Sequence, residues 1–234
     1  MSEVSANRTV LLIGASRGLG YALAAEYLDR GSRVVATVRG PGRTALHDLQ
    51  DGADGRLEIE HVDINAPEQV RTLRDRLGTR KFDLLFVNAG VTNRAEETTA
   101  NVTTEEFVRL MITNALSPMR VIETLGDVVD PAGSIAIMSS GQGSIANNER
   151  GDFEIYRASK SALNQLMRSY AARHRNDPRT LLLMAPGWVK TDLGGPDARL
   201  TIEESIPNLV TTIDDQKGRA GLQYLDYLGQ TVAW

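Results

Sequence analysis

One stretch holds two side chains that could move a proton. Tyr156 and Lys160 lie four positions apart in Ile155–Ala172, whose apolar spacing predicts a helix. At that separation they share a helix face, with Cβ atoms about 5–6 Å apart. A phenol with a pKa near ~10 is a poor base at neutral pH. An ammonium beside it stabilises the phenolate. Lowering that pKa by about 2–3 units takes about 3–4 kcal/mol. Such a pair alone is weak evidence, because exposed helices carry it by chance. Ser139 and Ser140 follow the aliphatic run Ser134–Met138. A serine hydroxyl at the carboxyl end of a strand can hold a substrate oxygen, or simply end the strand.

A second constellation lies near the start. The aliphatic run Thr9–Ile13 leads into Gly14-Ala15-Ser16-Arg17-Gly18-Leu19-Gly20, with glycines at 14, 18 and 20. The chain must leave a strand, turn sharply and enter a helix here. Glycine permits the turn and lets a phosphate approach the backbone. The helix that follows points free N–H groups and its positive end at that phosphate. The same residues also spell Gly-x-Ser-x-Gly, the strand-to-helix elbow of a hydrolase, with Ser16 as nucleophile. Three features argue against the elbow. It comes after a single strand, Gly20 has no role in it, and no well-placed partner exists among His47, His61 and His174.

The second aliphatic run, Arg33–Val38, bears on the choice of nucleotide. A carboxylate at its end would bind both ribose hydroxyls and favour NAD. None stands at 36–39; Arg39 follows instead. Arg39 and Arg17 converging there would bind a 2′-phosphate by charge-assisted hydrogen bonds. Arg39 as a solvated loop residue is the plainer alternative. The expectation is NADP(H) favoured over NAD(H). Asp63, with Ile64 beside it, could accept from the adenine amino group or bond within its own loop.

These groups need a scaffold. The chain has 234 residues, 41% of them hydrophobic and 24% charged, with a net charge of −4 and no cysteine. Disulfides, thiolate metal sites and a cysteine nucleophile are excluded; no metal site and no nucleic-acid partner is expected. The polar start, 1–8, lacks the apolar stretch of a signal peptide, and no run approaches the ~20 residues of a membrane span. The expected location is the cytoplasm, with no membrane partner. Candidate strands at Thr9–Ile13, Arg33–Val38, Leu57–Ile64, Leu84–Val87, Ser134–Met138 and Thr180–Met184 alternate with helical stretches, including one long helix over Phe107–Val128. That alternation predicts an α/β fold: one doubly wound parallel sheet with helices on both faces, as a single domain over 1–234.

Taken together, the motifs resemble the short-chain dehydrogenases/reductases along nearly the whole chain. The glycine loop is similar to that family's. So are Asn88-Ala89-Gly90, the helical Asn114, Ser140, Tyr156-Arg157-Ala158-Ser159-Lys160, and Pro186-Gly187 with Thr191. Ser140 fits the family's register better than Ser139. The 16 positions from Ser140 to Tyr156, Leu163-Asn164 and the ending Gly229–Trp234 resemble the C-factor/sniffer-type carbonyl reductase branch.

The resemblance implies a Rossmann fold and an NADP(H)-dependent oxidoreductase that moves hydride between the nicotinamide and an alcohol or carbonyl carbon of a small molecule. It implies that Tyr156 is the general acid or base, Ser140 polarises the carbonyl, Lys160 lowers the Tyr156 pKa and holds the nicotinamide ribose, and Asn114 positions a relay water. It implies that Gly14, Ser16, Arg17, Gly18, Leu19, Gly20, Arg39, Asp63, Ile64, Asn88, Ala89, Gly90, Pro186, Gly187, Val189 and Thr191 contact the cofactor. The substrate pocket is expected to draw on Gly141–Ile155 and Trp188–Ile206. A sensor or signalling protein on the same fold is the alternative. A homo-oligomer is left open.

Overall fold

The computed structural model describes residues 8–234. The reading of the first seven residues as a polar start lies outside them. Seven strands are present: β1 (Thr9–Ile13), β2 (Arg33–Val38), β3 (Leu57–His61), β4 (Phe82–Val87), β5 (Val129–Met138), β6 (Thr180–Ala185) and β7 (Gly221–Asp226). They form one parallel sheet in the order β3-β2-β1-β4-β5-β6-β7. The helices are α1 (Gly18–Asp29), α2 (Ala45–Asp51), α3 (Pro67–Leu77), α4 (Thr104–Met111), α5 (Ser117–Leu125), α6 (Glu154–Arg173) and α7 (Ile202–Asp215). This is the doubly wound arrangement that the alternation foretells.

Strand periodicity divides the core between the two faces of the sheet. Leu11, Ile13, Leu85, Val87, Ile135, Ile137, Leu181 and Leu183 pack with residues of α3, α5 and α6. Their neighbours Val10, Leu12, Leu84, Phe86, Ala136, Met138, Leu182 and Met184 pack with α1, α2 and α7. Successive side chains of a strand point to opposite faces, so the central strands must be apolar throughout. Each fully buried Leu, Ile, Val or Phe contributes about 1.5–3 kcal/mol.

Several expectations need correction. β3 ends at His61; Val62 still donates to the Val38 carbonyl at 3.0 Å, and a turn begins at Ile64. The long helix over Phe107–Val128 is broken: a π-helical turn, Ile112–Leu116, separates α4 from α5. There the Ser117 N–H reaches the Ile112 carbonyl. Pro118 has no N–H for the Asn114 carbonyl, so regular α bonding cannot run through this point. The six expected strands are seven. β7 carries Gln223 and Asp226 on the sheet's edge and lacks a continuous apolar run. α7 was hidden by Pro207, its sixth residue. It begins with a capping box, in which Thr201 and Glu204 exchange backbone-to-side-chain bonds of 2.7 and 3.2 Å.

Candidate functional site

The glycine loop is held by close backbone packing. Gly14 has φ +90°, and a Cβ there would fall 2.9 Å from the Ala89 Cβ. A Cβ at Gly20 would fall 2.1 Å from the Gly14 carbonyl oxygen and 2.6 Å from Asn88 Nδ2. Asn88 Nδ2 donates to that carbonyl at 2.8 Å, and the Gly14 N–H donates to Thr37 Oγ1 at 2.9 Å. Asn88 therefore braces the loop, as does Thr37, which the sequence reading missed. The first turn of α1 has neither a side-chain cap nor an acidic residue. Its N–H groups and positive dipole end remain available to an anion.

Thr191 closes over this loop. Its Cγ2 lies 4.0 Å from where a Gly18 Cβ would stand. Its hydroxyl accepts from the Gly194 N–H at 3.1 Å. Val189 is buried and bridges to Leu200; the Pro186 carbonyl accepts from the Ser205 hydroxyl at 2.7 Å. The cradle of Gly14, Gly18, Gly20 and Thr191 thus suits a dinucleotide phosphate.

The expected convergence of Arg17 and Arg39 is not seen. Arg17 pairs instead with Asp192 at 3.2 Å, both side chains 79% exposed. Arg39 is exposed, with no carboxylate partner among the described residues. The carboxylate next to Thr191 draws Arg17 across the cleft. Asp63 Oδ1 accepts from the Asn65 N–H at 2.9 Å, the loop bond weighed for it above; Ile64 is buried beside it.

Near the carboxyl end of β5, Ser140, Tyr156 and Lys160 come together. Tyr156, 8% exposed, and Lys160, 3% exposed, occupy the first turns of α6. The Ser140 side chain lies close enough to the Tyr156 hydroxyl to favour its ionised form, and its hydroxyl accepts from the Gln142 N–H at 3.1 Å. Ser139 turns inward, donating to Asn164 Oδ1 at 2.6 Å. Of the two serines, Ser140 is therefore the one beside the phenol. Tyr224, on the unforeseen β7, donates its hydroxyl to the Ser140 carbonyl.

Lys160 Nζ lies 5.8 Å from the Tyr156 ring centre and donates to the Met138 carbonyl at 2.9 Å. Burial pushes its pKa down to about 8. Burial also pushes the Tyr156 phenol up to about 12, with the Ser140 hydroxyl pulling the other way. The chain's own groups do not by themselves acidify the phenol. In this arrangement desolvation of the phenolate outweighs the neighbouring hydroxyl, and the Lys160 ammonium is directed at a carbonyl.

Asn114 sits in the π-helical turn, fully buried. Its Nδ2 donates to the Val91 carbonyl at 2.8 Å and to Ser159 Oγ at 3.0 Å; its Oδ1 accepts from the Val91 N–H at 2.8 Å. Ser159 in turn donates to the Tyr156 carbonyl at 2.7 Å. The amide is saturated and ties α6 to the segment after β4. Gly90 lies between Asn114 and Lys160: a Cβ there would meet Asn114 Oδ1 at 3.4 Å and Lys160 Nζ at 3.5 Å.

The hydrolase alternative finds no support. Ser16 has no imidazole partner among the described residues. His47 caps α2, accepting the Thr44 N–H. His174 lies at the far end of α6 beside the Tyr170 carbonyl.

Comparison with known proteins agrees with this geometry. The family model for short chain dehydrogenases matches residues 8–199. A short-chain dehydrogenase/reductase from Burkholderia multivorans, solved with bound NADP, is 60% identical, with a TM-score of 0.95 over 97% of this chain and 99% of that one. A carbonyl reductase from Pseudomonas aeruginosa, in complex with NADP, is 37% identical, with a TM-score of 0.90 over 98% of this chain and 100% of that one. The 1-hydroxy-2-glutathionyl-2-methyl-3-butene dehydrogenase of Rhodococcus sp. (strain AD45) is 30% identical, covering 97% of this chain and 99% of the relative. The chain belongs to the short-chain dehydrogenase family. It is an oxidoreductase of that family, a class that acts on small molecules.

Proposed function

We propose that this chain interconverts a carbonyl and an alcohol with NADP(H), favouring it over NAD(H), and that Tyr156 handles the proton. The observation that carries the reading is the grouping of Ser140, Tyr156 and Lys160 at the carboxyl edge of the sheet, together with a glycine cradle suited to a dinucleotide. The NADP-bound Burkholderia and Pseudomonas relatives support the choice of cofactor.

Gly14, Ser16, Gly18, Leu19 and Gly20 would hold the pyrophosphate together with Thr191. Arg39, just after β2 and without a carboxylate partner among the described residues, would read the 2′-phosphate, and Asp63 and Ile64 would border the adenine. Asn88, Ala89, Gly90, Pro186, Gly187 and Val189 would line the rest of the nucleotide. When bound, the nicotinamide supplies or accepts the hydride. A phenol with a pKa near 12 keeps its proton at neutral pH. In reduction Tyr156 donates that proton to the developing alkoxide, while the Ser140 hydroxyl holds the same oxygen. Lys160, still largely charged at pH 7, resupplies positive potential beneath the phenol. Asn114 fixes the first turn of α6 through Ser159, and its backbone carbonyl, left without a donor by Pro118, would hold a relay water.

No described helix is long and apolar enough to cross a membrane. We place the enzyme in the cytoplasm, acting as one unit over 1–234. Incubation with NADPH or NADH and a panel of aldehydes, ketones and quinones tests the reading. Oxidation of NADPH, faster than of NADH, is expected with at least one carbonyl class; tight NADPH binding without any turnover would sink it.

A further inference from the structure

A cavity of about 400 Å³ opens beside the turn after β6, lined by Arg150, Trp188, Arg199, Leu200 and Tyr227. It lies outside the carboxyl ends of three adjacent strands. Arg150 follows β5, Trp188 to Leu200 follow β6, and Tyr227 follows β7 directly. It shares walls with the site already described: a Cβ at Gly187 would lie 2.5 Å from Leu200 Cδ1 and 3.4 Å from Tyr227 Cε1. In an open parallel sheet this is where a small molecule meets the cofactor.

The lining of this cavity holds two arginines and no carboxylate. Acidic residues outnumber basic ones, 30 to 26. Arginines elsewhere commonly find a carboxylate, as Arg43 does with Asp48 and Asp51. Arg150 and Arg199 make no ion pair and no side-chain hydrogen bond among the described residues. Two unpaired guanidinium groups, delivered by two separate loops, thus face one cavity with two aromatic rings and a leucine. An apolar wall with a few convergent polar groups is the usual form of a small-molecule site. Guanidinium forks match the planar, two-oxygen geometry of an oxyacid. Trp188, 48% exposed, and Tyr227 offer flat faces for a planar body.

We propose that the substrate of this reductase carries an anionic oxyacid group on a planar or apolar body. Arg150 and Arg199 hold the oxyacid, and Trp188 and Tyr227 hold the body. The proposal rests on the oxidoreductase reading above and adds the class of substrate to it.

Three aldehydes of one scaffold test it: 4-formylbenzoate, 4-formylphenyl phosphate and the neutral methyl 4-formylbenzoate. The wild-type protein with NADPH should show kcat/KM at least about tenfold higher for a charged aldehyde than for the ester, the difference lying in KM. The Arg150→Gln/Arg199→Gln variant should bring that ratio close to one. Whichever charged aldehyde leads identifies carboxylate or phosphate, and either result supports the proposal. A wild-type ratio near one, or a ratio that survives in the double variant, overturns it. Calorimetry separates this failure from failure of the functional reading. If none of the three aldehydes turns over, the oxidoreductase reading lacks support on this scaffold. Binding of terephthalate but not terephthalamide, lost in the double variant, would then still establish the anion site. Equal binding of both compounds would remove it.

Discussion

At the amino ends of the strands, Arg80 pairs with Glu58, Arg74 with Asp127, Arg179 with Asp177 and Arg8 with Asp214. At the carboxyl ends, Arg39, Arg150 and Arg199 have no carboxylate among the described residues. Lys160 is buried there with a backbone carbonyl as its partner. The one ion pair spanning the cleft, Arg17 with Asp192, is exposed on both sides. Pairing alone does not divide the two ends, since Arg43, Arg94 and Arg109 find carboxylates beyond the carboxyl ends. What divides them is place: Arg150 and Arg199 line a cavity, and Arg39 follows the strand beside the glycine loop, where a ligand could meet them.

The sharpest test of this contrast removes one oxygen. Tyr156→Phe should lower kcat by about 10²–10⁴-fold, the usual worth of a positioned general acid. NADPH affinity, read by fluorescence titration, should change by less than about threefold, since the phosphate cradle is untouched. Normal turnover with weakened NADPH binding would reverse the roles assigned to the two regions.

Lys160 gives the next largest effect, in stability. Its folded-state pKa, about 8, lies below its ordinary 10.5. Between those values the unfolded chain binds more protons, so this group makes stability rise with pH from about 8 to 10.5. Below that window its buried charge costs up to about 3 kcal/mol. Lys160→Met should therefore be more stable than wild type at pH 7. The unpaired Met138 carbonyl offsets about 1–3 kcal/mol of that gain. The gap should close as the pH rises through the window. Urea unfolding at pH 7, 8, 9 and 10 measures this; parallel curves for the two proteins would show that Lys160 carries no burial penalty.

Arg39→Asp should shift the NADPH/NADH ratio of kcat/KM towards NADH by about 10–100-fold, the worth of a charge-assisted hydrogen bond. An unchanged ratio would return Arg39 to the solvated surface. The smallest effect belongs to the opposite end. Arg80→Ala should cost under about 1 kcal/mol and leave kcat/KM unaltered, because Arg80 and Glu58 are both well exposed. A kinetic defect there would mean that the amino ends also serve the reaction.

How much of this could be read beforehand depended on what kind of constraint was involved. Gly14 and Gly20 were legible because no side chain fits where they stand; the demand is steric and local. The Tyr156–Lys160 pair was legible because helical spacing fixes who shares a face. β7 and α7 were not, since an edge strand needs no continuous apolar run and Pro207 interrupts a helical pattern. The raised pKa of Tyr156 within the chain's own groups was not legible for another reason. Spacing places an ammonium near a phenol, but only the packing around both decides whether desolvation or attraction wins. The pairing of Arg17 with Asp192 was not legible because the two are far apart in sequence. Arg150 and Arg199 fell inside segments expected to wall the pocket, yet nothing in the chain order showed that they face each other across it.

The wide turn at Ile112–Leu116 has a further meaning. A π-turn is what a regular helix becomes when it takes in one extra residue without breaking. Deleting a neighbour of Asn114 in this turn should press α4 and α5 towards one continuous winding that Pro118 resists. Everything beyond the cut would rotate by about 100° and slide by about 1.5 Å. Pro118 would then sit deeper in regular winding, where its ring clashes. The amide of residue 114 would lose its register with Val91 and Ser159. Loss of one amino acid from this turn would thus unlatch the helix on which the reactive phenol rides.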